Sequence, residues 1–131
     1  MLDILSAIQQ HDQTFFTVLQ SVRFLHDQVE KSRNFDSLHV YQGLLFLLYK
    51  YPELRVVPTQ EVDDLLHAHF ADPNYSEDCQ KLFNSDLVHN PATDERTNQF
   101  YFQSTKVLFE HEFGVSYGCQ AAGCDVFRAR S

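Results

Sequence analysis

Glycine and proline are scarce in this chain, four of each among 131 residues. That scarcity excludes an architecture of many tight turns and favours long regular elements. Tryptophan is absent, so the aromatic load falls on twelve Phe and six Tyr. Three cysteines are too few for a disulfide framework. Cations are outnumbered, with ten Lys and Arg against eighteen Asp and Glu, for a formal charge of −8. A chain this poor in Lys and Arg is not built to neutralise phosphates, which argues against nucleic acid as a partner. It argues equally against adsorption on anionic membranes. Long apolar runs are missing too: the longest, residues 44–49, is far too short to span a bilayer. The first residues, MLDILSAIQQHDQ, have no basic start and no continuous apolar stretch, so no signal peptide is expected. The expectation is a cytoplasmic, reduced protein, with no membrane and no nucleic acid among its partners.

What is present suits one globular core. Apolar residues make up 44% of the chain, and the acidic residues are spread rather than blocked. Ile8, Phe15, Val22 and Val29 recur every seven residues, flanked by Leu5 and Leu19, and predict one long amphipathic helix over residues 2–31. Residues 31–34 are its break. A second helix is expected over 36–50, capped by Asp36 or Ser37 and ended by Pro52. Its LLFLLYKY run is apolar almost all round, which makes it the central helix. Gly43 within it predicts close approach by another helix.

A third helix starts at Thr59 after Pro58, with Glu61, Asp63 and Asp64 at the positive end of its dipole. A fourth starts at Asp72 with Pro73 in its first position and runs to about Phe83. A fifth starts near Thr93 and stops at Gly114, with Phe100, Tyr101, Val107, Leu108 and Phe113 as its apolar face. No alternating strand pattern of any length is visible. The expected fold is all-α, a compact bundle of about five helices in a single domain over residues 1–115. A small-residue C-terminal tail follows over 116–131.

Imidazole and thiolate are the side chains that bind borderline and soft metals, and His67, His69, Cys79 and His89 fall in one short segment. Val62, Leu65, Leu66 and His69 share one face of the third helix, so His69 points to the core. His67 lies roughly 160° away, beside Asp63 one turn earlier, a carboxylate placed to orient its ring. Two readings of His69 follow. It is a core histidine bonded to a neighbour, or it converges with Cys79 and His89 on a transition metal such as zinc. The spacing matches no standard zinc signature. Cys79 alone reads as a small buried hydrophobe. For Cys119 and Cys124 metal, disulfide and no role all stay open, with no structural role favoured. No nucleophile elbow, phosphate loop, dinucleotide fingerprint or HExxH pattern occurs.

The motifs run in a characteristic order: YQGLLFLLYKYPELRVVPTQEVDDLLHAH, then YSEDCQKLF, then LVHNP, then STKVLFEHEFG. Over about residues 35–115 this resembles the glycine-rich domain-containing protein-like family, a domain of unknown function in plants and bacteria. That family's pattern is roughly VPS-x-x-VD-x-x-WH-x-H, Y-x-x-DC-x-x-x-FG and LHH-x-P. Leu66 stands where the family has Trp, Asn84 where it has Gly, and Val88 where it has the first His of the pair, so the chain resembles a divergent member. The resemblance implies a helical fold built around the WH-x-H helix and no established reaction. The functional expectation is a small acidic helical module, non-enzymatic, that binds a protein partner. The alternative is a metal-binding protein using His67 or His69 with Cys79 and His89.

Overall fold

The computed structural model describes residues 3–31, 35–91 and 94–129. Among them the chain is mostly helical, with seven helices and one two-stranded antiparallel sheet. In chain order these are α1 (Ile4–His11), α2 (Gln13–Gln20), α3 (Arg23–Lys31), α4 (Phe35–Lys50), α5 (Gln60–Phe70), α6 (Tyr75–Phe83), β1 (Leu87–Asn90), α7 (Glu95–Phe113) and β2 (Asp125–Arg128). No helix among the described residues is long and apolar enough to cross a membrane.

The expected first helix is three helices. Asp12 makes the first break: its N–H closes α1 on the Ile8 carbonyl, and its carboxylate accepts from Phe15 N at 2.9 Å to cap α2. A side chain that satisfies the orphan N–H groups of a new helix start competes with continuation, without Gly or Pro. The second break follows Gln20, where Ser21 folds its hydroxyl back on the Val18 carbonyl at 2.6 Å. Ile8, Phe15, Leu19 and Val22 still reach the core, whereas Val29 is half exposed. The turn expected over residues 31–34 lies outside the described residues except for Lys31.

α4 is the central helix, packed on α1, α3, α5, α6 and α7. Leu44, Leu45, Leu47 and Leu48 are all buried. At Gly43 an added Cβ would lie 2.8 Å from the Phe109 ring, 3.1 Å from Phe113 and 3.2 Å from Ile4. Absence of a side chain there is what lets α7 and α1 close on α4 together.

α5 starts as expected, with the Thr59 hydroxyl accepting from Val62 N. α6 starts two residues later than expected, because Asp72 and Pro73 build a turn instead: Asn74 N donates to Asp72 Oδ1 at 2.8 Å. α6 ends at Asn84, whose φ of 55° is left-handed. Asn is the commonest substitute for Gly in that conformation, so the position keeps its helix stop without glycine.

α7 is capped by Asp94 and stopped by Gly114 at φ 67°, while the expected start near Thr93 lies outside the described residues. Its inner face is the expected one only in part: Phe113 is buried, and Tyr101 and Leu108 pack partly buried against the core. Asn98, Phe102, Thr105, Phe109 and Phe113 are buried, whereas Phe100 is 67% and Val107 64% exposed. Two polar residues occupy inner positions because each is bonded there. Asn98 Nδ2 donates to the Ala122 carbonyl at 2.8 Å, and Thr105 Oγ1 accepts from Val57 N at 3.1 Å.

The segment after Gly114, expected as a small-residue tail, folds back over the helices. Tyr117, Ala122, Cys124, Asp125 and Val126 are buried. Tyr117 donates its hydroxyl to the Val57 carbonyl at 2.6 Å. The segment then runs antiparallel to residues 56–60, bonding Ala122 N to Pro58 O and Gln60 N to Gln120 O. Val126 exchanges both backbone bonds with Val56 and pairs with His89 across the sheet. The strands were not foreseen because four residues each are too few to establish an alternation.

Candidate metal centre

α5 carries its two histidines to opposite environments, as 100° per residue requires. His69 is buried; the His67 side chain is 53% exposed. His69 is fully engaged. Its Nε2 lies 2.8 Å from Asp78 Oδ2 and its Nδ1 2.7 Å from the Tyr41 hydroxyl. A carboxylate only accepts, so Nε2 carries the hydrogen, and Nδ1 accepts from Tyr41. Burial raises Tyr41 well above the usual phenol range, keeping it a donor. Burial also lowers His69, with Asp78 pulling the other way. Phe24 stacks on the ring at 4.3 Å between centroids and Tyr75 meets its edge at 4.8 Å. With both nitrogens bonded and Phe24 stacked on one face, His69 joins α4, α5 and α6 and offers no lone pair to a metal.

Cys79 is buried in the hydrophobic core. Burial pushes its thiol up to about 11, so at neutral pH it is a small apolar group. The expected ligand set of His69, Cys79 and His89 does not assemble. Instead, among the described residues, the ligand atoms of Asp63, His89 and Cys124 all lie within 4.8 Å of one another. His89 is the one residue common to both sets, and Asp63, expected only to orient His67, is itself in the group.

Three separate segments deliver these residues. Asp63 stands one turn into α5, its N–H bonded to the Thr59 carbonyl. His89 sits in β1 opposite Val126. Cys124 immediately precedes β2, between the backbone bonds of Ala122 to Pro58 and Val126 to Val56. The Cys124 thiol donates to Asp63 Oδ1 at 3.3 Å. Burial, that bond and the neighbouring carboxylates push the thiol up to about 12. His89 is held below the usual imidazole range by burial first and by His67 second. Its Nε2 is buried and has no hydrogen-bond partner among the described residues.

His67 stands beside the group, 5.0 Å from His89 between ring centroids. Its Nδ1 lies 2.8 Å from the Asp63 carbonyl oxygen and 3.3 Å from Asp63 Oδ1. A carbonyl oxygen only accepts, so Nδ1 carries the hydrogen and the neutral ring keeps its lone pair on Nε2. An imidazole oriented through one nitrogen with the other free is the state in which histidine binds metals.

Cys124, for which metal was one of three open readings, is the member that sequence reasoning did not join to the group. It follows Asp63 by 61 residues, and no local spacing links them. The set of carboxylate, imidazole and thiol suits a borderline divalent cation, since a thiolate disfavours magnesium and calcium. Comparison with protein-family models, with curated proteins and with solved structures finds no match for the chain.

Proposed function

We propose that this chain is a metal-binding helical domain that takes a divalent transition metal of the zinc class through Asp63, His89 and Cys124. The observation that carries the reading is the meeting of three ligand atoms from α5, β1 and the approach to β2 within 4.8 Å. Charge supports it. An Asp carboxylate and a Cys thiolate together balance a dication, and the third ligand is neutral, so the half-buried site holds no net charge when loaded. Ligands of a tetrahedral zinc at about 2.0–2.3 Å stand roughly 3.3–3.8 Å apart, so side chains must contract by about an ångström. A reducing cytoplasmic setting would keep Cys124 a thiol, and all three cysteines are free. Kinship with the glycine-rich domain-containing protein-like family is part of this proposal. Asp63 of the VD motif and His89 of the histidine-proline motif are both in the group, while Cys124 lies beyond the span of the resemblance.

The test is zinc titration of metal-stripped protein prepared without a histidine tag, followed by dialysis and metal quantification. The expected result is one zinc per chain, with occupancy lowered by Cys124→Ser, His89→Ala and Asp63→Asn and kept by Cys79→Ala. A chain that retains no zinc, or whose zinc is indifferent to the first three changes, overturns the reading.

A second reading, a non-enzymatic module for a protein partner, is favoured by Phe100 and Val107. They are exposed seven residues apart on one face of α7. The charge of −8 fits a basic partner carrying an apolar anchor. Sedimentation of wild type and of the Phe100→Ser, Val107→Ser double variant separates this from self-association. A wild type that dimerises through this face counts against a foreign partner.

A further inference from the structure

Three protein ligands leave the fourth position of a tetrahedral metal undecided. Held by water, it makes an open site for Lewis-acid chemistry; held by a side chain, it makes a closed site that contributes to folding. Resting on the metal-binding reading above, we infer that His67 supplies the fourth ligand through Nε2. The loaded centre is then a closed clamp that fastens the C-terminal segment to α5.

Geometry carries this. Two imidazoles on one tetrahedral zinc, at about 2.0–2.1 Å per Zn–N bond, hold their ring centroids roughly 5 Å apart. The His67 and His89 rings are 5.0 Å apart, with their planes 85° from parallel. His67 lies one helical turn from Asp63, on the same side of α5. Its Nδ1 hydrogen is fixed on the Asp63 main-chain carbonyl at 2.8 Å, which leaves Nε2 as its donor to a metal. The ring is 53% exposed, so it can move to a metal with little repacking. His67 is neutral as a ligand, so it completes four-fold coordination without disturbing the balance of two anionic ligands against a dication.

The consequence follows from where the ligands lie. Asp63 and His67 belong to α5, His89 to β1, and Cys124 to the returning segment. That segment is held to residues 56–60 by backbone bonds, by two isolated bridges, Val56 with Val126 and Thr59 with Ala121, and by the Tyr117 hydroxyl on Val57, and its end pairs with β1. A metal joining Cys124 to two α5 residues adds a crosslink to this attachment. Whatever binds only the closed form raises its stability in proportion to the logarithm of its concentration over Kd. The centre is therefore a structural lock, with no vacant position for substrate.

The experiment compares wild type with His67→Ala, loaded with zinc for affinity and exchange and with cobalt for spectroscopy. Zinc affinity is read by competition with a chromophoric chelator. Added azide is read through the visible cobalt spectrum, and amide exchange is followed over residues 115–129. In wild type, azide leaves the cobalt bands unchanged and zinc slows exchange in the segment. In His67→Ala, zinc affinity falls by at least the roughly 10–100-fold typical of losing a supporting residue, and azide shifts the spectrum. His67→Gln, which keeps a polar side chain but has no imidazole, repeats the test should alanine disturb α5. If wild type takes up neither metal, the metal-binding reading fails and this inference fails with it. If wild type binds zinc but its cobalt form responds to azide and His67→Ala binds equally well, only the inference fails, and the site is open.

Discussion

The Tyr41 hydroxyl donates to His69 Nδ1 over 2.7 Å, 28 residues away in the chain, and His69 passes its own hydrogen to Asp78 at 2.8 Å. All three groups are buried, and the order of donors along them is fixed. The relay explains why a histidine occupies the apolar face of α5 beside Val62 and Leu66. It is a cross-tie between helices rather than a ligand.

Removing the middle of the relay should cost more than removing its end. His69→Ala leaves the Asp78 carboxylate buried without its donor and the Tyr41 hydroxyl without its acceptor, at about 1–3 kcal/mol for each group and more for a charged one. Tyr41→Phe removes one hydroxyl and leaves a lone pair on Nδ1, a loss of about 1–2 kcal/mol. Urea unfolding of the two variants checks the order. Equal and small effects would mean the relay is not intact in solution.

The same residue gives a pH dependence whose sign is determined. Burial holds native His69 below its ordinary 6.5, whereas the unfolded ring titrates near that value. The unfolded chain therefore binds a proton that the native protein resists. This contribution to stability is complete above 6.5 and declines as pH falls through 6.5 toward the native value. Unfolding midpoints measured above 6.5 and about one unit below it should differ in wild type, and differ less in His69→Gln. An identical pH response in the two proteins assigns the effect to other groups.

Gly43→Ala sets two effects against each other. Alanine gains about 1 kcal/mol in helix propensity. Its methyl would sit 2.8 Å from the Phe109 ring, with Phe113 and Ile4 closing the other sides. Aromatic rings in a packed core cannot yield as a flexible chain end does, and overpacking costs about 1–3 kcal/mol. Packing wins, and the thermal midpoint of Gly43→Ala should fall. A rise would show that α7 can back away from α4.

How much of this was legible depends on whether the determining contact is local. The phase of α5, the burial of the α4 leucines, the Thr59 start and the Gly114 stop were legible because each rests on residues a few positions apart. The break at Asp12 was hidden by an unbroken apolar repeat, since Ile8 reaches the core from α1, Phe15 from α2 and Val22 from the turn before α3 just as they would from one long helix. The inner face of α7 was misread in part, because Asn98 and Thr105 are polar and their partners, Ala122 and Val57, lie far along the chain. For the same reason the centre was half legible. Asp63, His67 and His89 were singled out, whereas Cys124 enters only when the returning segment folds beside α5. His69 and Cys79, close in sequence, are occupied with the core.

Asp12 has two duties, and substitution separates them. Its Oδ1 caps α2 through Phe15 N, and its Oδ2 accepts from the Tyr49 hydroxyl at 2.9 Å. Asp12→Ala loses both, about 1 kcal/mol for the cap and about 1 kcal/mol for the second bond. Asn is as good a cap as Asp, so Asp12→Asn should recover at least half of the loss. If Ala and Asn behave alike in chemical denaturation, the break between α1 and α2 does not rest on this side chain.

Thr105 tests whether the inner polar residues of α7 are tolerated or required. It is fully buried. Its hydroxyl donates to the Tyr101 carbonyl at 2.8 Å, one turn back, and accepts from Val57 N at 3.1 Å. The second bond is the important one, because Val57 lies in the extended stretch against which the C-terminal segment pairs. Thr105→Val keeps the shape and the apolar contacts but leaves the Val57 N–H buried without a partner, a cost of about 1–3 kcal/mol. Thr105→Ser keeps the hydroxyl and gives up one methyl group, worth about 1 kcal/mol. On hydrophobicity alone valine should be the better replacement. On hydrogen-bond accounting serine should be, and the second argument prevails because an orphaned buried donor costs more than a methyl contributes. Thermal unfolding should therefore rank wild type above Thr105→Ser and Thr105→Ser above Thr105→Val, with faster amide exchange at Val57 in the valine variant. The reverse order would mean that α7 can rotate to bury Val107 in place of this face.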